Sequence, residues 1–227
     1  MSPCSRHLEN NMLYEKDNKE KRPLMHYTPL YEALDPREVE GRCNLRFDAE
    51  QSEFSLKFMH RAYRIGFPRF YVKPEEESDM FSPLEAMPAA QLLVMRYLIE
   101  GRFVKAEGRF LTFREVPWGA VYTTPFDGRC IKRLAFTFGN KPEDFKRAME
   151  SIGATPLKMG DISYEFELLE GLRLQFILWQ GDDEFLPSAQ ILFSDNFPMA
   201  FTAEDMAVSG DVTIGSLKAI ANQLRQS

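Results

Sequence analysis

"ISYEFELLEGLRLQFILWQGDDEFLPSAQILF", residues 162–193, is the stretch from which a sheet can be traced. Its first eighteen residues, 162–179, are two runs rich in apolar and aromatic residues on either side of Glu170-Gly171. Such a pattern around a glycine predicts a β-hairpin with its tip at that pair. The acidic triplet Asp182-Asp183-Glu184 follows, and then "SAQILF" resumes as a strand. The triplet reads as a solvated turn between strands, with Gly181 supplying an unusual backbone angle. The competing reading is a holder of a hard cation such as Mg²⁺, which takes oxygen ligands.

Working outward, "LRFD" (45–48), "EFSLKFMH" (53–60), "AYRIGFP" (62–68) and "RFYVK" (69–73) form a second block of strands. "PAAQLLVMRYLIEG" (88–101) is the clearest helix: Pro88 opens it, Leu92, Met95, Leu98 and Ile99 form its stripe, and Gly101 closes it. Short helices are expected around 29–42, capped by Asp35 before Pro36 and ended by Gly41. "GRFLTFREVPWGAVYTTPFDG" (108–128) reads as strand, turn and strand around Pro117 and Gly119. "RCIKRLAFTFG" and "KPEDFKRAMESIG" read as two helices with stops at Gly139 and Gly153, and a helical pair is expected at the C-terminus around "TAEDMAV" and "TIGSLKAIANQLRQ". Strands and helices arriving in runs predict one α+β domain, residues 24–227, with a mixed, mainly antiparallel sheet and packed helices. Residues 1–23 are polar and charged and read as a flexible N-terminal arm.

The net charge of −6, with no tract of Lys or Arg, argues against a nucleic-acid backbone binder. "KEKR" (19–22) and "RCIKR" (129–133) read as solvated surface. Three widely spaced cysteines, Cys4, Cys43 and Cys130, suit neither a disulfide framework nor a metal cluster. No apolar run long enough for a leader or a membrane span stands out, so a cytoplasmic protein without a membrane partner is the expectation.

His7, His26 and His60 all lie within the first 60 residues, away from the denser motifs. Histidine-based nucleophilic catalysis therefore has no evident base. The candidate ligand-binding residues are Arg114, Glu115, Trp118, Tyr122 and Trp179, placed where "FREVPWGAVY" would meet "WQGDDEF". Arginine can grip a carboxylate or phosphate bidentately, and the aromatic residues can wall a pocket. The bland reading of Arg114 and Glu115 is an ion pair pinning the Pro117 turn. A metal-assisted hydrolase or phosphoryl-transfer enzyme would instead use Asp161, Asp182, Asp183 and Glu184 on a divalent cation.

"GDDEF" resembles the G-G-[DE]-E-F signature of diguanylate cyclases. Lys141 and Glu143 stand where that family places metal-holding aspartates, however, and Asp182 replaces its second glycine. A broader resemblance rests on Tyr97-Leu98, on Phe113-Arg114-Glu115 through Tyr122, on Gly160-Asp161, and on Trp179 through Phe193. In combination these resemble an uncharacterised domain family of anaerobic bacteria and methanogenic archaea. Leu111, Trp118 and Ser194 depart from its pattern. Some members carry an iron–sulfur segment like that of corrinoid iron–sulfur proteins. The resemblance implies an accessory, ligand-, cofactor- or partner-binding role in anaerobic corrinoid or one-carbon metabolism. A small molecule, a corrinoid or an iron–sulfur protein would be the partner. It names no cofactor for this chain, which has no cysteine cluster to hold iron and sulfur.

Overall fold

The computed structural model describes residues 22–226. The arm expected at 1–23 lies outside the described residues except for Arg22 and Pro23, which open helix α1 (Arg22–Glu32). Nine strands form one sheet in the order β4-β3-β2-β7-β8-β9-β5, with β1 added to β2 and β6 (Thr155–Leu157) to β7. Every pairing is antiparallel. The domain is α+β.

The quoted stretch forms the middle of this sheet. Strands β7 (Ile162–Leu169) and β8 (Leu172–Trp179) pair around Glu170 and Gly171, whose φ angles are 36° and 78°. Both residues are left-handed, as a two-residue turn that matches strand twist requires. Strand β9 (Ser188–Ser194) adds to β8, and β5 (Phe110–Thr112) adds to β9. The other wing comprises β1 (Arg46–Asp48), β2 (Glu53–Phe58), β3 (Arg61–Gly66) and β4 (Val72–Pro74). It joins the quoted stretch through Phe58 opposite Leu169, and the Glu170 carboxylate accepts the Lys57 N–H at 2.7 Å.

Helix α2 (Pro36–Cys43) starts at Asp35, whose side chain accepts the Arg37 N–H. Gly41 lies inside this helix, and Asn44, at φ 52°, closes it. After α3 (Pro83–Ala86), helix α4 (Pro88–Glu100) is buried on most of its circumference. Its buried set is Ala90, Leu93, Val94, Met95, Tyr97 and Leu98, broader than the single stripe expected.

Two expectations are corrected. Residues 119–126 are not a strand but helix α5 (Gly119–Phe126), continuing through a π-helical turn (Asp127–Ile131) into α6 (Lys132–Phe138). The C-terminal helical pair is instead, after the short α8 (Phe197–Ala200), one helix, α9 (Ala203–Gln226). Helix α7 (Pro142–Ser151) is as expected, followed by Gly153 at φ 69°. Glycines 210 and 215 do not break α9 because packing uses them: a Cβ at Gly210 would stand 3.0 Å from Cys130 Sγ.

Aromatic rings fix the elements that later form a cleft. Phe113 and Phe126 stack with centroids 3.9 Å apart, and Phe193 lies against both. From Phe193 the rings continue through Phe197 (5.1 Å) and Phe201 (5.9 Å) to Tyr97 (5.9 Å). This chain ties β9 and α8 to α4, and each such pair adds roughly 0.5–1.5 kcal/mol beyond its area.

Candidate functional site: a cleft over a buried ion pair

A cleft of about 350 Å³ opens between α4, the Pro117-Trp118 turn and the residues leading from α8 into α9. Helix α4 supplies Arg96 and Glu100, one turn apart and therefore on one face. Arg96 is the lone cation of a mostly apolar helix. Its Nη1 lies 3.0 Å from Asp205 Oδ1, with side chains only 17% and 5% exposed. The guanidinium also sits 5.0 Å from the centroid of the Tyr27 ring, a cation–π contact.

Asp205 holds its place through the start of α9. Its Oδ2 accepts hydrogen bonds from Thr202 Oγ1 (2.6 Å) and Thr202 N–H (3.2 Å), and its own N–H donates back to Thr202 Oγ1 at 3.3 Å. This is the reciprocal capping box of a helix N-terminus. Burial pushes the Asp205 carboxyl above the usual aspartate value, against the lowering effects of Thr202 and Arg96. Arg96 Nε is buried with no acceptor among the described residues. An unsatisfied buried donor costs about 1–3 kcal/mol.

Over this floor stands Trp118, with 78% of its surface exposed and its backbone left-handed at φ 64°, ψ −3°. A bulky residue in that conformation stores about 1–3 kcal/mol of strain. The following turn leaves no room for relaxation. A Cβ at Gly119 would lie 1.8 Å from the Phe113 carbonyl oxygen and 2.8 Å from Val116 Cγ2. Pro117, Pro198 and Met199, itself half exposed, complete an apolar rim.

The residues proposed from sequence do not share one pocket. Trp118 lines the cleft. Arg114 and Trp179 line a separate hollow of about 330 Å³. Glu115 is not paired with Arg114: its carboxylate accepts the Thr112 N–H and hydroxyl, both at 2.7 Å, closing a capping box over a 3₁₀ turn (Phe113–Glu115). Those bonds hold its carboxyl below the usual value. Tyr122 lies on the outer side of α5, 41% exposed.

The four proposed metal-holding carboxylates separate in the same way. Asp161 Oδ2 accepts the Gln180 N–H at 2.8 Å. Asp182 Oδ1 accepts the N–H groups of Glu184 (2.9 Å) and Phe185 (2.7 Å), which lowers its pKa. Asp183 and Glu184 are exposed. Among the described residues no three His, Cys, Asp or Glu side chains are grouped so as to hold a metal ion. Gly181 does not supply a left-handed angle. It admits Pro187, whose Cδ would stand 2.7 Å from an added Cβ, and Pro187 also presses on Gly139. The acidic loop is thereby clamped against the end of α6.

Cys43 and Cys130 are buried, with thiols pushed up by burial to about 11 and about 12. Cys4 lies outside the described residues. No described helix is long and apolar enough to cross a membrane.

A family model for a domain of unknown function, DUF3786, matches residues 35–216. The chain belongs to that family. The match takes in α4, the Trp118 turn and Asp205, so every residue lining the cleft falls inside the family domain. No curated protein and no solved structure matches the chain.

Proposed function

We propose that the protein is a binding module whose cleft over Arg96 and Asp205 takes a small molecule with a flat apolar part and a hydrogen-bond acceptor. Trp118 carries this reading. It keeps a large apolar side chain in water on a left-handed backbone, and neither exposure nor strain stabilises the fold. Such outliers are kept where binding uses them. A flat group stacked on Trp118 would cover the indole, while Arg96 beneath offers charge-assisted donors. The volume lies at the low end of the roughly 300–1,000 Å³ common for small-molecule sites. A complete corrinoid ring is larger than this, so in the anaerobic one-carbon setting that the family resemblance implies, a corrinoid or iron–sulfur protein is a partner and not the cleft's occupant.

The test is native mass spectrometry on protein purified anaerobically from its own cells, wild type beside Trp118→Ala. The indole is exposed, so this variant keeps the fold. Extra mass on the wild type that is lost or depleted in the variant is the expected result. A bare mass for both proteins, or equal loading of both, overturns the proposal.

A further inference from the structure

A second concavity carries a different chemistry. It measures about 240 Å³ and lies between α6, the start of α7 and the last turns of α9, sharing no lining residue with the cleft. Four cations line it, Arg133, Lys141, Lys218 and Arg225, against one carboxylate, Asp144. The wall thus carries 4 − 1 = +3 on a chain whose net charge is −6. Arg133 is held by Asp211, and Arg225 lies 3.5 Å from Asp144. Lys141 and Lys218 have no carboxylate partner among the described residues. Gathering cations in a hollow costs mutual repulsion, which a bound anion would relieve.

Two further features shape the ligand. Phe136 stands at this hollow 65% exposed, a ring largely open to solvent. Helix α7 opens beside it with Lys141 as its N-cap and no side-chain cap; Pro142 has no N–H and the Phe145 N–H donates to the Lys141 carbonyl, so only the Glu143 and Asp144 N–H groups lack an intrahelical acceptor, and the first turn also carries those two carboxylates. Lysines bind phosphate as point charges, and a stacked ring tolerates any base. We propose that this hollow is an anion site for a phosphate-bearing ligand with an aromatic base, of the mononucleotide class. The phosphate sits between Lys141 and Lys218, and the base lies on Phe136.

The experiment is isothermal titration of the full chain with AMP, ribose 5-phosphate and adenosine, at about 50 and 200 mM salt. AMP binds best, ribose 5-phosphate binds about tenfold more weakly, adenosine barely binds, and raising salt weakens AMP further. Lys141→Gln/Lys218→Gln lowers AMP affinity at least about tenfold, whereas Phe136→Ala brings AMP down to the level of ribose 5-phosphate. All three side chains are exposed, and circular dichroism melts confirm that both variants fold. The proposal is overturned if AMP gives no heat at millimolar concentration and low salt. It is equally overturned if the double lysine variant binds AMP unchanged, or if Phe136→Ala leaves the AMP advantage intact. The Trp118→Ala protein should bind AMP normally, so this site and the cleft stand or fall separately.

Discussion

Arg96→Met is the sharpest probe of the cleft floor. Methionine keeps the apolar stem and removes the charge, leaving Asp205, with its side chain 5% exposed, without its cation. Breaking a buried pair by removing one partner costs about 3–5 kcal/mol. Two hydrogen bonds from Thr202 still hold the carboxylate, which places the effect at the lower end. A loss of about 3 kcal/mol corresponds to a Tm drop of roughly 6–12 °C for a domain of this size. The pH dependence follows from Asp205, whose folded pKa already lies above 3.8 because of burial. For a raised carboxyl, stability is complete below the unfolded value and declines as pH climbs through the folded one. Removing Arg96 raises the folded value further. The gap between wild type and variant should therefore be small near pH 4 and widen towards pH 8. Arg96→Met/Asp205→Asn, which leaves no buried charge, should recover much of the loss at pH 7. Calorimetric melts across that range decide the matter. A gap independent of pH, or a double variant as unstable as the sum of the singles, would refute the account.

Other outcomes test neighbouring claims. Trp118→Asn, a residue that tolerates the left-handed backbone, should raise Tm by a few degrees, about 1 kcal/mol of relieved strain, while abolishing ligand loading; a lower Tm would show that the indole stabilises the fold. Gly119→Ala should cost about 3 kcal/mol or more in denaturant melts, because its Cβ would meet a backbone carbonyl that cannot move aside. In a Cys4→Ser background, a thiol reagent at pH 8 should leave native Cys43 and Cys130 unmodified and label both in guanidinium, as raised and buried thiols predict. Mg²⁺ should change the melting of Asp182→Ala/Asp183→Ala/Glu184→Ala no differently from wild type; a wild-type-specific rise would restore the metal reading of that loop.

The parts of the fold that were legible are those whose determinants are local. The β7–β8 turn was readable because Glu170-Gly171 is itself the left-handed pair the turn needs. The stretch after Trp118 misled because Val121, Tyr122, Thr123 and Thr124 are strand formers flanked by turn residues. What makes them helical is nonlocal: α5 runs on through the π turn, where Cys130 reaches the Ala207 carbonyl at 3.2 Å beside Gly210. Tertiary contacts override propensity there. The same contact bears on the long C-terminal helix, since Gly210 within it is a place of close approach to Cys130.

The site was half legible for a related reason. Trp118 announced itself as an aromatic beside Pro117 and Gly119, but its partner groups sit on elements far away in sequence. In the sequence Arg96 is the lone cation of a mostly apolar helix that also carries Gln91 and Glu100, and Asp205 is one of two first-turn acids. Each had a faint signal: a lone cation among apolar neighbours has to find a counter-charge, and Thr202 three residues before Asp205 spells a capping box. Neither signal says that the two meet. Their meeting depends on the ring chain from Phe193 to Tyr97, which sets α8 and the start of α9 against α4. The conspicuous "GDDEF", by contrast, is explained by its own backbone, since Asp182 closes the loop and Pro187 clamps it. In this chain the acidic motif that catches the eye closes its own loop, and the polar pair worth mutating is the one brought together from distant parts of the sequence.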